Sequence, residues 1–304
     1  MTKSSKLAFL AGVIDGDGSI SITIIRRKDW DGYSFQPHIA VGMTSRKLCK
    51  WIQHHFGGNL HGYNNGVNQK MFHLRINGKK AVTTLLTDLM PYLLIKKQAA
   101  QTVLNYMSLE DRFCQDERMA IARQAQEDNS LNHLTIDTRT LNSRESSAYL
   151  AGIIDTEGCV GIRDNSGQAF APYIKINNTN EALIKWIDSL FKGSVRHHKY
   201  KKESCRDCYL WDLYGKKNIE NVLLSVLPYL VIKKELANTV LQFVRLPNTW
   251  NKEERTRLFL LSKTMNVRRS TPTTNTADSP ENGLMIESDL ISDYECAPLV
   301  TATA

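Results

Sequence analysis

The chain repeats itself, and that duplication limits what it can fold into more than any other feature. Leu7 to Ile20 (LAFLAGVIDGDGSI) returns 140 residues later as Ser147 to Val160 (SAYLAGIIDTEGCV). Lys50-Trp51-Ile52 followed by Phe56 and Gly57 returns as Lys185-Trp186-Ile187 followed by Phe191 and Gly193. Gly78-Lys79-Lys80 returns as Gly215-Lys216-Lys217, and Met90 to Lys97 (MPYLLIKK) as Leu227 to Lys234 (LPYLVIKK), both at an offset of 137. Four matches in one order at nearly one offset define a tandem duplication of domain-sized units, a period far too long for a solenoid.

Hydropathy gives each repeat the same layout. It opens with a short helix apolar on every side, around Leu7–Ile14 and Tyr149–Ile154, which must therefore be buried. Ala11-Gly12 and Ala151-Gly152 place small residues there, where another backbone can approach. Gly18 and Gly158 are expected to end these helices through positive φ. Strands with period-two alternation follow: Ile20, Ile22 and Ile24 face one way and Ser19, Ser21 and Thr23 the other. The predicted unit is αββαββα(α), an α+β fold with an antiparallel sheet, apolar on one face and polar on the other. The predicted domains are 1–110 and 141–262 for the repeats, 111–140 for a connector, and 263–304 for a tail expected to be loosely attached. Trp51 and Trp186 read as core residues between helix and sheet.

Composition bounds the rest. With 42% apolar and 23% charged residues among 304, the chain reads as an ordinary soluble globular protein. It contains no apolar run long enough to span a bilayer and no secretory leader, which predicts an intracellular protein of cytoplasm, nucleoid or organelle matrix. Six scattered cysteines suggest free thiols in a reducing compartment. The pair Cys205 and Cys208 lacks the second pair a zinc site needs and is read as two thiols. The net charge of +8 is a sum of unlike parts: +8 in 1–110, −2 in 111–140, +8 in 141–269 and −6 in 270–304. Two equally basic repeats suit a polyanion.

Each buried helix runs into an acidic pair, Asp15 and Asp17 in one repeat, Asp155 and Glu157 in the other. A carboxylate at a helix C-terminus faces the negative end of the dipole, at a cost of a few tenths to about 1 kcal/mol that a cation would relieve. If the two helices pack about the axis of the duplication, Asp17 and Glu157 come together. Paired carboxylates on a basic surface favour a divalent, oxygen-liganded metal, Mg²⁺ for choice, with Mn²⁺ or Ca²⁺ able to substitute in binding. Metal-bound water beside a phosphodiester points to hydrolysis. Asp15 and Asp155 read instead as structural, bonded to nearby backbone.

Residues 10–18 (LAGVIDGDG) and 150–158 (LAGIIDTEG) resemble the two motifs of a LAGLIDADG homing endonuclease of the double-motif, single-chain type, over roughly residues 5–262. The resemblance implies motif helices at the interface of two pseudo-symmetric halves and saddle-shaped sheets over the major groove of double-stranded DNA. It implies a monomer that cuts both strands of a long site and leaves short 3′ overhangs. It assigns metal to Asp17 and Glu157, with the carbonyls of Gly16 and Thr156 as further ligands. It assigns transition-state stabilisation to Lys96 and Lys233, with Lys97 and Lys234 as the alternative pair, and water orientation to Ser45 and Asn180. Strand parity then nominates base-reading residues: Ser19, Ser21, Thr23, Arg27, Gln36, His38, His73 and Arg75 in the first half, and Arg163, Lys175, Asn177, Arg196, His198 and Asp212 in the second. The basic run 196–202 is expected to contact phosphate. The alternative function within the family is an RNA maturase that assists splicing of its own intron. A non-cutting DNA-binding regulator is disfavoured by the two retained acids, and an intein by the absence of splicing termini.

Overall fold

The computed structural model describes residues 1–28, 32–64, 70–109, 114–130, 141–165, 169–199, 207–247 and 252–266. The expected tail therefore lies outside the described residues beyond 266, as do 131–140 of the connector and 200–202 of the basic run. The first half contains α1 (Lys3–Asp17), β1 (Gly18–Arg26), β2 (Tyr33–Met43), α2 (Arg46–Phe56), β3 (Asn59–Asn64), β4 (Lys70–Asn77), α3 (Lys79–Leu89), α4 (Lys97–Met107) and α5 (Gln115–Ser130). The second contains α6 (Ser143–Thr156), β5 (Gly158–Asn165), β6 (Ala169–Asn178), α7 (Glu181–Phe191), β7 (Ser194–His198), β8 (Cys208–Leu213), α8 (Lys216–Val226), α9 (Lys234–Arg245) and α10 (Lys252–Asn266). The α+β expectation holds: there are two four-stranded antiparallel sheets, ordered β1-β2-β4-β3 and β5-β6-β8-β7.

The motif helices start at polar caps. Thr2 accepts from the N–H of Ser5, and Asn142 forms a capping box with Glu145. Beyond the caps almost every residue of α1 from Leu7 to Asp15 and of α6 from Ala148 to Asp155 is buried, because these helices pack on each other and on both halves. Their contact is backbone on backbone. A Cβ at Gly12 would stand 2.2 Å from the Tyr149 carbonyl oxygen, and one at Gly152 would stand 2.4 Å from that of Phe9.

Gly18 corrects the sequence reading. Its φ of −91° and ψ of 175° are extended, so handedness is not the reason for glycine. The helix turns so sharply into β1 that a Cβ would sit 2.6 Å from the Ile14 Cα; at Gly158 the matching distance, to the Ile154 Cα, is 2.7 Å. Positive φ is used elsewhere, at Gly78 (93°) and Gly215 (86°), where the repeated Gly-Lys-Lys segments open α3 and α8.

Register shows why alternation was readable. Ile20 pairs with Ile39, which pairs with Ile76, all facing the core, while Ser21 pairs with His38 and His38 with Asn77 on the opposite face. Phe9 packs edge-on against Trp51 at 4.9 Å and Tyr149 against Trp186 at 5.3 Å, so the tryptophans join α2 and α7 to the motif helices. Helix α5, inside the expected connector, packs on the first half: the Asn129 amide oxygen accepts from the Ile20 N–H at 3.0 Å, and Gln126 donates to the Ile22 carbonyl at 3.0 Å. Helix α10 covers the matching edge of β5, with Asn266 donating to the Val160 carbonyl at 3.0 Å. Each sheet edge that begins at a motif helix is thus covered. Among the described residues no helix is long and apolar enough to cross a membrane.

Candidate active site and nucleic-acid interface

The chain reverses from helix to strand at Asp17-Gly18 and Glu157-Gly158, which brings the ends of α1 and α6 together at the axis of the duplication. A Cβ on Gly16 would lie 2.3 Å from the Thr156 hydroxyl and 3.4 Å from the Glu157 Cγ. Asp17 reaches solvent, yet the protein packed beneath it strips water from its carboxyl and raises it above the ordinary range, while Lys96 and Lys233 oppose the rise. Glu157 is pushed up to about 7, first by desolvation and then by the negative charge of Asp17, again against both lysines. The structure therefore brings four predicted residues, Asp17, Glu157, Lys96 and Lys233, to one centre.

The lysines arrive by a route the sequence only hinted at. Lys96 is buried, and its ammonium donates to the carbonyls of Ile14 at 2.6 Å and Asp15 at 3.2 Å; Lys233 donates to those of Ile154 at 2.6 Å and Asp155 at 3.2 Å. Each caps the negative end of a motif helix, where a cation is favoured. Burial lowers both ammonium groups from the usual lysine range, and the nearby carboxylates resist the shift. Lys97 and Lys234 instead begin α4 and α9, which favours Lys96 and Lys233 as the pair at the centre.

Asp15 and Asp155 are structural as expected, but their partners lie far along the chain. Asp15 accepts from the N–H groups of Leu94, Ile95 and Lys96 at 2.8, 3.1 and 2.9 Å, and Asp155 from those of Val231, Ile232 and Lys233 at 2.7, 3.0 and 2.9 Å. The repeated Pro-Tyr-Leu-x-Ile-Lys segment is the loop that wraps these carboxylates. Ser45 and Asn180 are the N-caps of α2 and α7, accepting from the N–H groups of Leu48 and Leu183. Capping explains a polar residue at each position without reference to catalysis.

The donor set fits a hard divalent cation. Two carboxylates converge at the end of the helix pair, the oxygen donors such an ion prefers, and among the described residues no group of three or more His, Cys, Asp or Glu gathers to hold a metal ion of any kind. The Thr156 hydroxyl beside them donates to the carbonyls of Gly152 and Ile153.

The polar sheet faces flank the centre. In the first sheet Ser19, Ala40, Arg75 and Asn59 form one cross-strand row, Ser21, His38 and Asn77 a second, and Thr23 pairs with Gln36. Arg75 donates to the Thr23 hydroxyl at 2.7 Å and to Asn77 at 3.0 Å, and Arg27 is exposed beyond the end of β1. His38 is pushed down to about 4, mainly by desolvation and also by Arg75 and His73, so at neutral pH it is uncharged. The strand pairing adds Asn59, His61, Tyr63 and Asn77 to the predicted face; carrying parity from His73 and Arg75 across the β3–β4 hairpin would have found the first three.

In the second sheet Cys159, Lys175, Asp212 and Ser194 share a row, with Asn177, Leu210 and Arg196 in another and Arg163 and His198 on the same face. Asp212 is corrected as a base reader: it is 1% exposed, contacted by Arg196 and 3.9 Å from the Lys175 ammonium. A carboxylate so covered cannot reach a base, and it anchors the two cations above it. Arg163 lies over the Tyr214 ring at 4.8 Å, and His198 is exposed on β7. Cys205 lies outside the described residues.

The fold and site define a pseudo-symmetric, single-chain protein with one composite acidic centre between two polar sheets. Residues 10–105 match the LAGLIDADG endonuclease family model. The fold matches solved LAGLIDADG homing endonucleases: I-GzeII in complex with its DNA target (13% identity, 86% of this chain, 99% of that one, TM-score 0.64), I-SmaMI bound to uncleaved DNA with calcium (14%, 86%, 98%, 0.62) and I-LtrWI bound to target DNA (16%, 87%, 99%, 0.61). No curated protein matches the chain. The family match thus lies in the first repeat, and the chain as a whole has the fold of the double-motif, single-chain LAGLIDADG homing endonucleases.

Proposed function

We propose that this chain is a monomeric, site-specific homing endonuclease that hydrolyses both strands of a long double-stranded DNA target with Mg²⁺ and leaves short 3′ overhangs. The observation that carries the reading is the meeting of Asp17 and Glu157, one from each half, at the seam between two polar sheet faces. A duplex laid along both faces would place its backbone over that seam. The solved relatives named above were captured with DNA, one of them with calcium, which supports the same placement.

Asp17 and Glu157 would hold the divalent ion, with the carbonyls of Gly16 and Thr156 completing the protein ligands. When bound, that ion supplies charge neutralisation and water activation. Lys96 and Lys233, held at the helix ends, present fixed positive charge toward the phosphates as negative charge builds in the transition state. Ser21, Thr23, Gln36, His38, His73 and Arg75 would face bases or backbone of one half-site, and Arg163, Lys175, Asn177, Arg196 and His198 those of the other.

The test is cleavage of a pooled DNA library with randomised sites in the presence of Mg²⁺. The wild-type chain should enrich broken molecules that share one long site, and Asp17→Asn or Glu157→Gln should slow cutting by about 100-fold or more. Either variant cutting that site at the wild-type rate refutes the two-carboxylate centre. Wild-type protein that binds intron RNA and cuts no DNA points to the maturase reading instead.

A further inference from the structure

We infer that Tyr149, contributed by the second repeat, is a positioning residue for Lys96 of the first, so that a single hydroxyl makes the two halves of the centre unequal. Its catalytic consequence rests on the endonuclease reading above; the contact itself rests on geometry.

The two cradles are near copies. In each, a carboxylate holds three consecutive N–H groups ending at the lysine, and the carbonyl of the same aspartate takes the lysine ammonium. The lysine's main chain is thus fixed by Asp15 or Asp155, and its ammonium by that residue's carbonyl together with the carbonyl of Ile14 or Ile154 before it. The difference is a fourth donor: the Tyr149 hydroxyl crosses between the halves and donates to the Asp15 Oδ2 at 2.9 Å. Its counterpart in the duplication is Phe9, which has no hydroxyl to offer Asp155.

Packing does not account for that hydroxyl. Both rings are fully buried and both pack edge-on against the tryptophan of their own repeat. A phenyl ring suffices for this in the first repeat. A buried phenol needs a partner to offset its desolvation, and Asp15 is the partner. The second half has its own device: the Lys233 ammonium reaches the Gly158 carbonyl at 2.6 Å in addition to its two helix-end carbonyls. So both lysines hold two helix-end carbonyls, but Lys233 gains a third, whereas the carboxylate that holds the Lys96 segment is tied to the opposite repeat. Each lysine ends on its own motif helix, so on the endonuclease reading each would serve the scissile phosphate on its own side.

Tyr149→Phe and Phe9→Tyr test this in the full-length protein with two readouts. In Tyr149→Phe, amide hydrogen exchange at Leu94, Ile95 and Lys96 should speed up about tenfold while Val231, Ile232 and Lys233 keep their rates. On end-labelled DNA carrying the site, the single-turnover rate on one strand should fall about tenfold with the other strand unchanged. Phe9→Tyr should slow exchange at Val231 to Lys233 and change only the opposite strand. Unchanged exchange in Tyr149→Phe overturns the inference, as does equal slowing of both strands or of neither. If the wild-type chain cuts no DNA, the endonuclease reading fails and takes the strand effect with it, and exchange alone decides whether the hydroxyl holds the Lys96 segment.

Discussion

At the scale of single residues, Glu157 shows how a site can work against the fold that carries it. Its carboxyl sits at about 7 in the folded chain against an ordinary 4.5, so the folded state binds a proton more readily than the unfolded state. Stability from this group is therefore highest below about pH 4.5, falls as pH rises toward 7, and above 7 the full penalty of the buried charge is present. Without divalent metal, Glu157→Gln should raise the melting temperature at pH 8 and leave it nearly unchanged at pH 4.5, while removing cleavage. Mg²⁺ should raise the melting temperature of the wild type more than that of the variant. Thermal melts at both pH values, with Mg²⁺ and with chelator, check each arm; a variant less stable than wild type at pH 8 would contradict the burial argument. The site's charged groups were legible in the sequence because duplication marks them twice. The role of Asp15 was half legible: it is structural, but the amides it holds lie 79 to 81 residues away, and no local pattern records such a partner. Asp212 misled parity reasoning, since period two gives the face of a side chain and says nothing of neighbours that close over it.

At the scale of elements, the α1–α6 contact sets the geometry of the centre, and it tolerates no side chain at its crossing. Gly12→Ala would drive a Cβ onto the Tyr149 carbonyl, and backbone on both sides leaves no soft atom to yield. Overpacking of this kind costs about 1–3 kcal/mol and more where backbone must move. Gly12→Ala should therefore lower the urea midpoint and misalign Asp17 against Glu157, reducing cutting as well. Gly42→Ala is the control: its Cβ would meet nothing closer than the His73 ring at 3.6 Å, and stability should stay within about 0.5 kcal/mol of wild type. Equal losses in the two variants would show that close approach is not what matters at Gly12. The motif helices and sheet faces were readable because their burial imposes periodicity: all-round apolar for a helix buried on every side, strict alternation for a sheet covered on one face. Helix α5 was read as connector and not as part of the first repeat, and the predicted end of the second repeat, residue 262, fell inside α10. Both are polar overall with few buried residues: α5 seats Ala122 and Ala125 and bonds the β1 edge through Asn129 and Gln126, and α10 seats Leu258 and Phe259, the latter stacked on Phe170, and bonds β5 through Asn266, so the apolar signal in each is short.

At the scale of the whole molecule, the net charge of +8 conceals a body of +14 over residues 1–269 and an acidic segment of −6 over 270–304. Lys175 and Arg196 on one sheet and Arg75 on the other bring part of that positive charge onto the polar faces. A duplex spanning both would meet cations in each half, so binding should release counterions from two half-sites at once. If about 6–10 phosphates are neutralised, affinity should fall by roughly 10³–10⁵ between 50 and 200 mM salt. Removing residues 270–304 leaves every described contact in place and raises the net charge from +8 to +14. Association with DNA should then quicken at low salt through a stronger long-range field, and the gain should shrink as the Debye length drops to about 8 Å at physiological ionic strength. Stopped-flow association at several salt concentrations, comparing full-length and shortened chains, separates this field effect from a direct contact. A field effect alone changes the association rate and leaves dissociation nearly fixed, whereas a segment that occupies the binding face would change both and persist at high salt.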